Sequence, residues 1–188
     1  MIVRPALFLD RDGVINHDTG YTHRIEDFRF RDGIFALCRA ALAQGYALVI
    51  VTNQAGIGRG YYTEAQFHLL TAWMLERFAA EGITFAAVEY CPDHPMQGIG
   101  AYRRDTPRRK PGPGMILEAA AAHGLDLARS VMIGDRASDM QAALAAGIPT
   151  RLLLSSLAEE AQAAPPGSII LPDGALEDAA RWIATATG

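Results

Sequence analysis

The 188-residue sequence has little cysteine and no long apolar run, and these absences exclude several classes of protein. Two cysteines cannot build the disulfide framework of a small secreted scaffold, so we expect Cys38 and Cys91 to be reduced thiols. Half of the residues are apolar and 20% are charged, which excludes a disordered, collagen-like or coiled-coil chain. The chain is long enough to close a core without disulfides or a structural metal.

Signals for export, membranes and nucleic acid are also missing. The start, MIVRPALFLDRD, reaches acidic residues after a few apolar ones and lacks the features of a secretory signal. No apolar run approaches the length of a membrane span. The net charge of −4 disfavours binding along nucleic-acid phosphates, although RRDTPRRK at 103–110 is a local basic cluster. We therefore expect a cytoplasmic monomer without nucleic-acid or membrane partners.

Short apolar runs alternate with segments of helical periodicity. Continuously apolar runs, typical of buried strands, lie at 6–9, 46–52, 87–91, 130–135, 150–154 and 168–171. Periodicity and capping residues predict helices at 33–45, 63–82, 111–124 and 137–147, and 158–167 is expected to be a partly helical connection. The alternation predicts a single α/β domain over 1–188, with a Rossmann-like three-layer fold and a doubly wound parallel sheet.

Polar side chains stand where three of these strands end, and a lysine precedes a predicted helix. Ligands of doubly wound sheets bind beyond the carboxyl ends of the strands, so these side chains are expected to converge on one edge of the sheet. The residues are Asp10, Asp12, Thr52, Asn53, Lys110, Asp135 and Asp139.

Asp10 and Asp12 end the first apolar run together. Side chains at positions i and i+2 of extended backbone point the same way, and Gly13 allows the chain to turn sharply after them. Adjacent carboxylates repel, and the usual reason to tolerate this is a hard cation such as Mg²⁺, which binds carboxylate and phosphate oxygens. Asp135 would supply a further carboxylate.

Taken alone, each residue also has a structural explanation. Thr52 could simply end a strand, Lys110 could be a solvated surface charge, and Asp139 could cap a helix or orient Lys110. The order and spacing of the whole set carry more weight than any one member.

Four ordered motifs resemble those of the haloacid dehalogenase superfamily of phosphohydrolases. They are DRDGV at 10–14, TN at 52–53, RKP at 109–111 and GDRASD at 134–139. Longer segments are similar to the D-glycero-D-manno-heptose 1,7-bisphosphate 7-phosphatases, small relatives without a large cap domain that serve lipopolysaccharide precursor synthesis. These segments are FLDRDGVIN, DTGYTH, VTNQAGIGRGYYTEAQF, CPDHP, RKPGPGM and IGDRASDMQAA, which span about residues 6–155.

The resemblance implies a mechanism through a phosphorylated aspartate. Asp10 would attack phosphorus, and Asp12 would protonate the leaving oxygen and then activate water. The resemblance places Mg²⁺ on Asp10, Asp12 through its backbone carbonyl, and Asp135, while Thr52 and Lys110 would bind the phosphoryl oxygens.

A small-molecule sugar phosphate is the substrate class that the resemblance implies. A bisphosphate would explain the basic cluster before Lys110, since two phosphates favour more than one cation. The residues implied for the sugar and second phosphate are Asp18, Thr19, Gly20, Tyr21, Asn53, Gln54, Ala55, Arg109 and Arg136.

One segment departs from the family pattern. Many relatives hold a structural zinc with Cys-x-His and Cys-x-Cys in a loop insertion at about 91–108, and the corresponding positions here are Cys91, Asp93, Thr106 and Arg108. Only the first can be a thiolate, and an arginine repels the cation, so we expect no zinc. We further expect an ion pair between Asp93 and Arg108 to close the loop in its place.

Other functions agree with part of the pattern. Histidinol phosphate, a glycerol phosphate or another sugar phosphate could replace the heptose as substrate. A receiver domain of a signalling pathway also combines an acidic pocket, Mg²⁺, a threonine and a lysine, but its phosphorylated aspartate follows a middle strand, where this chain has Thr52. A catalytically silent binding protein is the least economical alternative, because every motif residue needed for chemistry is present.

Overall fold

The fold is built on one six-stranded sheet, in which every pair of neighbours is parallel. The computed structural model describes residues 3–185 of the chain. The strands are β1 (Ala6–Leu9), β2 (Ala47–Asn53), β3 (Ala87–Cys91), β4 (Val131–Gly134), β5 (Thr150–Leu154) and β6 (Ile169–Leu171). Their order across the sheet is β3-β2-β1-β4-β5-β6, so β1 and β4 are neighbours at the point where the order reverses.

Helices follow most of the strands. They are α1 (Ile34–Ala43), α2 (Ala55–Gly58), α3 (Glu64–Ala80), α4 (Gly114–His123), α5 (Ala137–Ala145), α6 (Ala158–Ala163) and α7 (Leu176–Thr185). The start of α3 shows why the sequence predicts its position. Thr63 Oγ1 accepts a hydrogen bond from the Gln66 amide at 3.2 Å, and Gln66 Oε1 accepts one from the Thr63 amide at 2.9 Å.

Two apolar cores cover the two faces of the sheet. Leu7, Leu9 and their neighbours pack with α1, α3 and α7 on one face. Ala6 and Phe8 point to the other face, where they pack with α4 and α5. Because side chains alternate along each strand, continuously apolar strands supply both cores. The α/β, three-layer, doubly wound fold predicted from the sequence is confirmed.

The edges of the sheet differ from the sequence prediction. β1, β2, β4 and β5 are buried as expected, but β3 is mostly half-buried, and Ile169 and Ile170 of β6 are 36% and 43% exposed. Both are edge strands, so each lacks a neighbour on one side. The sequence patterns above also miss α2 and α7. Among residues 3–185, no helix is long and apolar enough to cross a membrane.

Candidate active site

The carboxyl ends of β1, β2 and β4 border a cavity of about 510 Å³ at one edge of the sheet. Its wall contains most of the residues that the sequence marks for chemistry or binding. The lining residues are Asp10, Asp12, Asp18, Gly20, Tyr21, Asn53, Gln54, Ala55, Tyr62, Arg109, Lys110, Arg136, Ser138 and Asp139. Parallel strands bring together residues from 10 to 139 because their carboxyl ends share one side.

Lys110 connects two carboxylates beneath this cavity. Its Nζ lies 2.9 Å from Asp10 Oδ1 and 2.6 Å from Asp139 Oδ1, and it donates to the carbonyl of Val51 at 2.8 Å. The lysine is only 4% exposed, so its charge is compensated by these partners rather than by water. The second oxygen of Asp139 accepts from the Arg136 amide at 3.1 Å, at the start of α5. Asp139 therefore both orients Lys110 and caps a helix.

Burial dominates the ionisation of the acidic cluster. It raises the pKa of Asp10 to about 6, against the opposing effect of the Lys110 ammonium. Burial lowers the pKa of Lys110, but the Asp10 and Asp139 carboxylates more than offset it, and the net shift is upward. Burial also raises the pKa of Asp135 to about 9, with Asp10 and Asp139 adding to the effect. The lysine is therefore a permanent cation at this site.

Of the three clustered carboxylates, Asp135 has the fewest partners among the described residues. Its Oδ1 is buried and has no hydrogen-bond partner among the described residues. Carboxylate oxygens of Asp10, Asp135 and Asp139 all lie within 4.8 Å of one another. Gly13 leaves the space that Asp135 occupies, because a Cβ there would overlap its carboxylate. Three converging carboxylates, one of them unpaired, fit the oxygen ligand set of Mg²⁺.

Asp12 is positioned by contacts that the cluster of Asp10, Asp135 and Asp139 does not share. Gln54 Nε2 donates to Asp12 Oδ2 at 3.0 Å, and Asn16 Nδ2 donates to Asp12 Oδ1 at 3.0 Å. The same Gln54 amide donates to Thr52 Oγ1 at 2.9 Å. Thr52 is 1% exposed and lies outside the cavity wall, yet no residue among 3–185 accepts its hydroxyl hydrogen, which can therefore be donated.

Asn53 fixes the backbone of the lysine. Its Oδ1 accepts from the Lys110 amide and its Nδ2 donates to the Lys110 carbonyl, each at 3.0 Å. This reciprocal pair explains how a loop residue 57 positions away is placed at the end of β2.

The outer wall contains most of the residues predicted for the sugar and second phosphate. Asp18 accepts from the Gly20 amide at 2.9 Å, and its other oxygen lies 3.7 Å from Arg136. Arg109 donates to the Asp93 carbonyl at 3.1 Å and lines the cavity. Thr19 does not line this cavity but a neighbouring one of about 440 Å³, and Asp135 borders a third of about 420 Å³.

Sequence reasoning misses three residues of this region. Tyr62 and Ser138 line the cavity, and Arg11 is buried beside Asp12. The Tyr62 hydroxyl donates to Gln54, and burial raises the pKa of that tyrosine. A tyrosine in GYYT and a serine in RASD have no spacing signal that separates them from surface residues.

The loop at 91–108 contradicts one prediction. Asp93 and Arg108 do not form an ion pair among the described residues. The buried Asp93 pairs with Arg104 at 2.9 Å, whereas Arg108 pairs with Glu89 at 3.0 Å and with Glu118. The expected pair is therefore wrong, because the Arg108 side chain extends towards β3 and α4 instead of across the loop. Cys91 and Cys38 are both buried, free thiols.

Comparisons with known proteins extend over most of the chain. A family model described as "HAD-hyrolase-like" matches residues 107–178. A D-glycero-alpha-D-manno-heptose-1,7-bisphosphate 7-phosphatase of Burkholderia mallei is 55% identical over 149 residues, 79% of each chain. The D-glycero-beta-D-manno-heptose-1,7-bisphosphate 7-phosphatase of Escherichia coli K12 is 44% identical over 179 residues, covering 95% of this chain and 87% of the relative.

A solved structure agrees with these relatives. The crystal structure of D,D-heptose 1.7-bisphosphate phosphatase from B. bronchiseptica, complexed with magnesium and phosphate, superposes with a TM-score of 0.78. It is 26% identical, and the alignment covers 93% of this chain and 97% of that one.

The parallel sheet, its acidic edge and these likenesses define the class of the protein, a haloacid dehalogenase-type phosphatase. Within that class, the chain belongs to the D-glycero-D-manno-heptose-1,7-bisphosphate 7-phosphatase family. A receiver domain and a silent binding protein do not agree with this membership.

Proposed function

We propose that this phosphatase removes the 7-phosphate of D-glycero-D-manno-heptose 1,7-bisphosphate to give the 1-phosphate. The observation that carries the proposal is Asp10 in the wall of a 510 Å³ cavity, 2.9 Å from the Lys110 ammonium. Arg109 and Arg136 in the outer wall supply cations for a second phosphate. The relatives named for this substrate support the same choice.

Asp10 is the proposed nucleophile. One of its oxygens attacks phosphorus, the bond from phosphorus to the sugar oxygen breaks, and an aspartyl phosphate forms. Lys110 stays cationic beside the transferred group and stabilises the negative charge on its oxygens. The free hydroxyl hydrogen of Thr52 is a second proposed donor to those oxygens.

Asp12 is the proposed acid and base. It donates a proton to the departing sugar oxygen, then removes one from the water that attacks the aspartyl phosphate. The second attack breaks the bond between phosphorus and Asp10, which releases phosphate and restores the carboxylate. The position of Asp12 in the cavity wall, beside Gln54 and Thr52, supports this role.

A Mg²⁺ ion is proposed on Asp10, Asp135 and the backbone carbonyl of Asp12. The unpaired Oδ1 of Asp135 supports this choice, whereas both oxygens of Asp139 already have partners. When bound, such an ion compensates negative charge on the phosphoryl group. We propose no zinc, since the loop at 91–108 has one thiol and its two charged positions, Asp93 and Arg108, pair with other residues.

The remaining wall is proposed to bind the sugar and the second phosphate. Asp18 and the segment after it, together with the polar groups of Asn53 and Gln54, are suited to hydroxyl groups. The proposed residues are Asp18, Thr19, Gly20, Tyr21, Asn53, Gln54, Ala55, Arg109 and Arg136.

The test is Mg²⁺-dependent phosphate release from the α and β anomers of the heptose bisphosphate, with histidinol phosphate assayed beside them. We expect release from at least one anomer to exceed release from histidinol phosphate by orders of magnitude. Asp10→Asn should abolish it while the circular dichroism spectrum stays native. Equal or faster turnover of histidinol phosphate would refute the heptose assignment, and an active Asp10→Asn variant would refute the nucleophile.

A further inference from the structure

Arg11 is the most unusual buried side chain near the cavity. It lies between the two carboxylates that end β1, and only 2% of it is exposed. An arginine costs free energy to bury unless its charge and its hydrogen-bond donors are matched by partners. The partners of Arg11 therefore indicate what its burial achieves.

The guanidinium of Arg11 binds both oxygens of Asp12. Its Nη2 lies 2.9 Å from Asp12 Oδ1 and 2.8 Å from Asp12 Oδ2, and its Nε lies 3.3 Å from Oδ1. Nη1 is buried without a hydrogen-bond partner among the described residues. The guanidinium carbon also lies over the Phe67 ring, 5.8 Å from its centroid, which limits the freedom of the guanidinium to move.

Arg11 also binds the segment that forms the outer wall. Its Nη2 donates to the Thr22 carbonyl at 2.7 Å, directly after Asp18–Tyr21. Thr22 is buried, and its hydroxyl is hydrogen-bonded to that of Thr19 at 3.0 Å. One side chain thus connects Asp12 to the segment proposed to bind the sugar.

We propose that Arg11 is a positioning residue, which directs the Asp12 carboxylate at the scissile sugar oxygen and fixes its distance from the Asp18–Thr22 segment. The inference rests on the proposed function, since it assigns Arg11 a task in that reaction. Proton transfer requires the acid within hydrogen-bond reach of the oxygen, so a misdirected Asp12 slows cleavage of esters whose leaving oxygen needs a proton. Esters with a weakly basic leaving oxygen are affected much less.

The experiment compares two esters in Arg11→Gln. One is heptose 1,7-bisphosphate, whose sugar oxygen needs a proton, and the other is p-nitrophenyl phosphate, whose phenolate leaves without one. The ratio kcat/KM reports the steps up to phosphorylation of Asp10. We expect it to fall about 10²-fold for the heptose ester and to change little for p-nitrophenyl phosphate. Arg11→Lys should show the same contrast, because the ammonium of the shorter lysine side chain falls short of the Nη2 position and cannot replace the Nε contact to Asp12.

Arg151→Gln is the matched control. Arg151 is 6% exposed, donates to the carbonyls of Ile148, Pro149 and Pro166, and lies outside the cavity wall. This variant should lose stability but keep the wild-type ratio of the kcat/KM values for the two esters. Should Arg11→Gln fail to fold, Arg11→Lys decides the question by the same ratio.

The outcomes separate the two proposals. If kcat/KM of the Arg11 variants falls equally for both esters, or falls for neither, the positioning role is overturned while the phosphatase assignment stands. No release of phosphate by the wild type from the heptose ester would overturn the proposed function, and the inference with it.

Discussion

Asp135 is a half-buried carboxylate with no ion-pair partner among residues 3–185, and this has a measurable effect on the metal-free protein. Its pKa in the folded state is raised from 3.8 to about 9. Between these values, the folded protein holds a proton that the unfolded chain has released. The contribution of Asp135 to the free energy of unfolding is therefore largest at low pH, and it falls as pH rises from about 4 to about 9. The raised pKa of Asp10 acts in the same direction.

Asp135→Asn should stabilise the metal-free protein at pH 8 by about 1–3 kcal/mol, because the wild-type carboxyl must take up a proton on folding at that pH and the amide need not. Urea unfolding at several pH values, with and without Mg²⁺, measures this. The variant should also lose most of the dependence on pH and on Mg²⁺. Asp32→Asn, at an exposed acid, should behave like the wild type. A less stable Asp135→Asn protein at pH 8 would contradict the raised pKa of Asp135 in the folded state.

The site residues that end strands could be predicted from the sequence. The role of Arg11, which lies between two of them, could not. Asp10, Thr52 and Asp135 stand directly after apolar runs, and parallel strands bring such positions to one side. A residue between two carboxylates of an extended segment is expected to point away from them. Only the length of the arginine side chain returns the Arg11 guanidinium to Asp12, and sequence spacing carries no signal of that.

At the scale of elements, Glu64 of α3 binds Tyr102 in the loop at 91–108 and Tyr90 in the strand that leads into it. The Glu64 carboxylate accepts from the Tyr102 hydroxyl at 2.7 Å and from the Tyr90 hydroxyl at 2.9 Å. Both hydrogen bonds lower the pKa of Glu64, so it stays ionised at neutral pH. The pair between Asp93 and Arg104 closes the loop on itself.

Glu64→Ala should therefore loosen the loop while leaving the sheet intact. We expect faster amide hydrogen exchange across 92–106. We also expect the free energy of unfolding to fall by about 1–2 kcal/mol, because two tyrosine hydroxyls lose their acceptor. Glu76→Ala, at an exposed position of the same helix, is the control. If the loop is closed by these contacts alone, a zinc chelator leaves its exchange unchanged. Faster amide exchange in the loop after chelation would contradict this account. Unchanged exchange in the Glu64→Ala variant would contradict it too.

The failed prediction at this scale has a specific cause. The spacing of the zinc ligands in relatives identified Asp93 and Arg108 as the residues at two former ligand positions. That spacing does not determine where their side chains point. Those directions depend on which charges the neighbouring elements offer, here Glu89 on β3 and Glu118 on α4. α7 was missed for a related reason, since Leu176 and Ile183 become core residues only through packing against α1.

At the scale of the whole molecule, both cores share one sheet, and we propose a single domain. Every strand except β6 contributes side chains to both faces, so loss of one core exposes the other. Urea unfolding should then give coincident transitions by circular dichroism and by the fluorescence of Trp73 and Trp182, with a midpoint independent of protein concentration. Separate transitions would indicate independent units, and a midpoint that rises with protein concentration would contradict the monomer expected from the sequence.

The contacts of Lys110 determine how activity returns to a refolding chain. Its ammonium joins Asp10, 100 positions earlier, to Asp139 in α5, which lies beyond a further strand. Closing such distant segments costs entropy before the contacts form, so the charged cluster is assembled only when most of the sheet exists. Recovered turnover is therefore a stricter measure of renaturation than recovered helical signal.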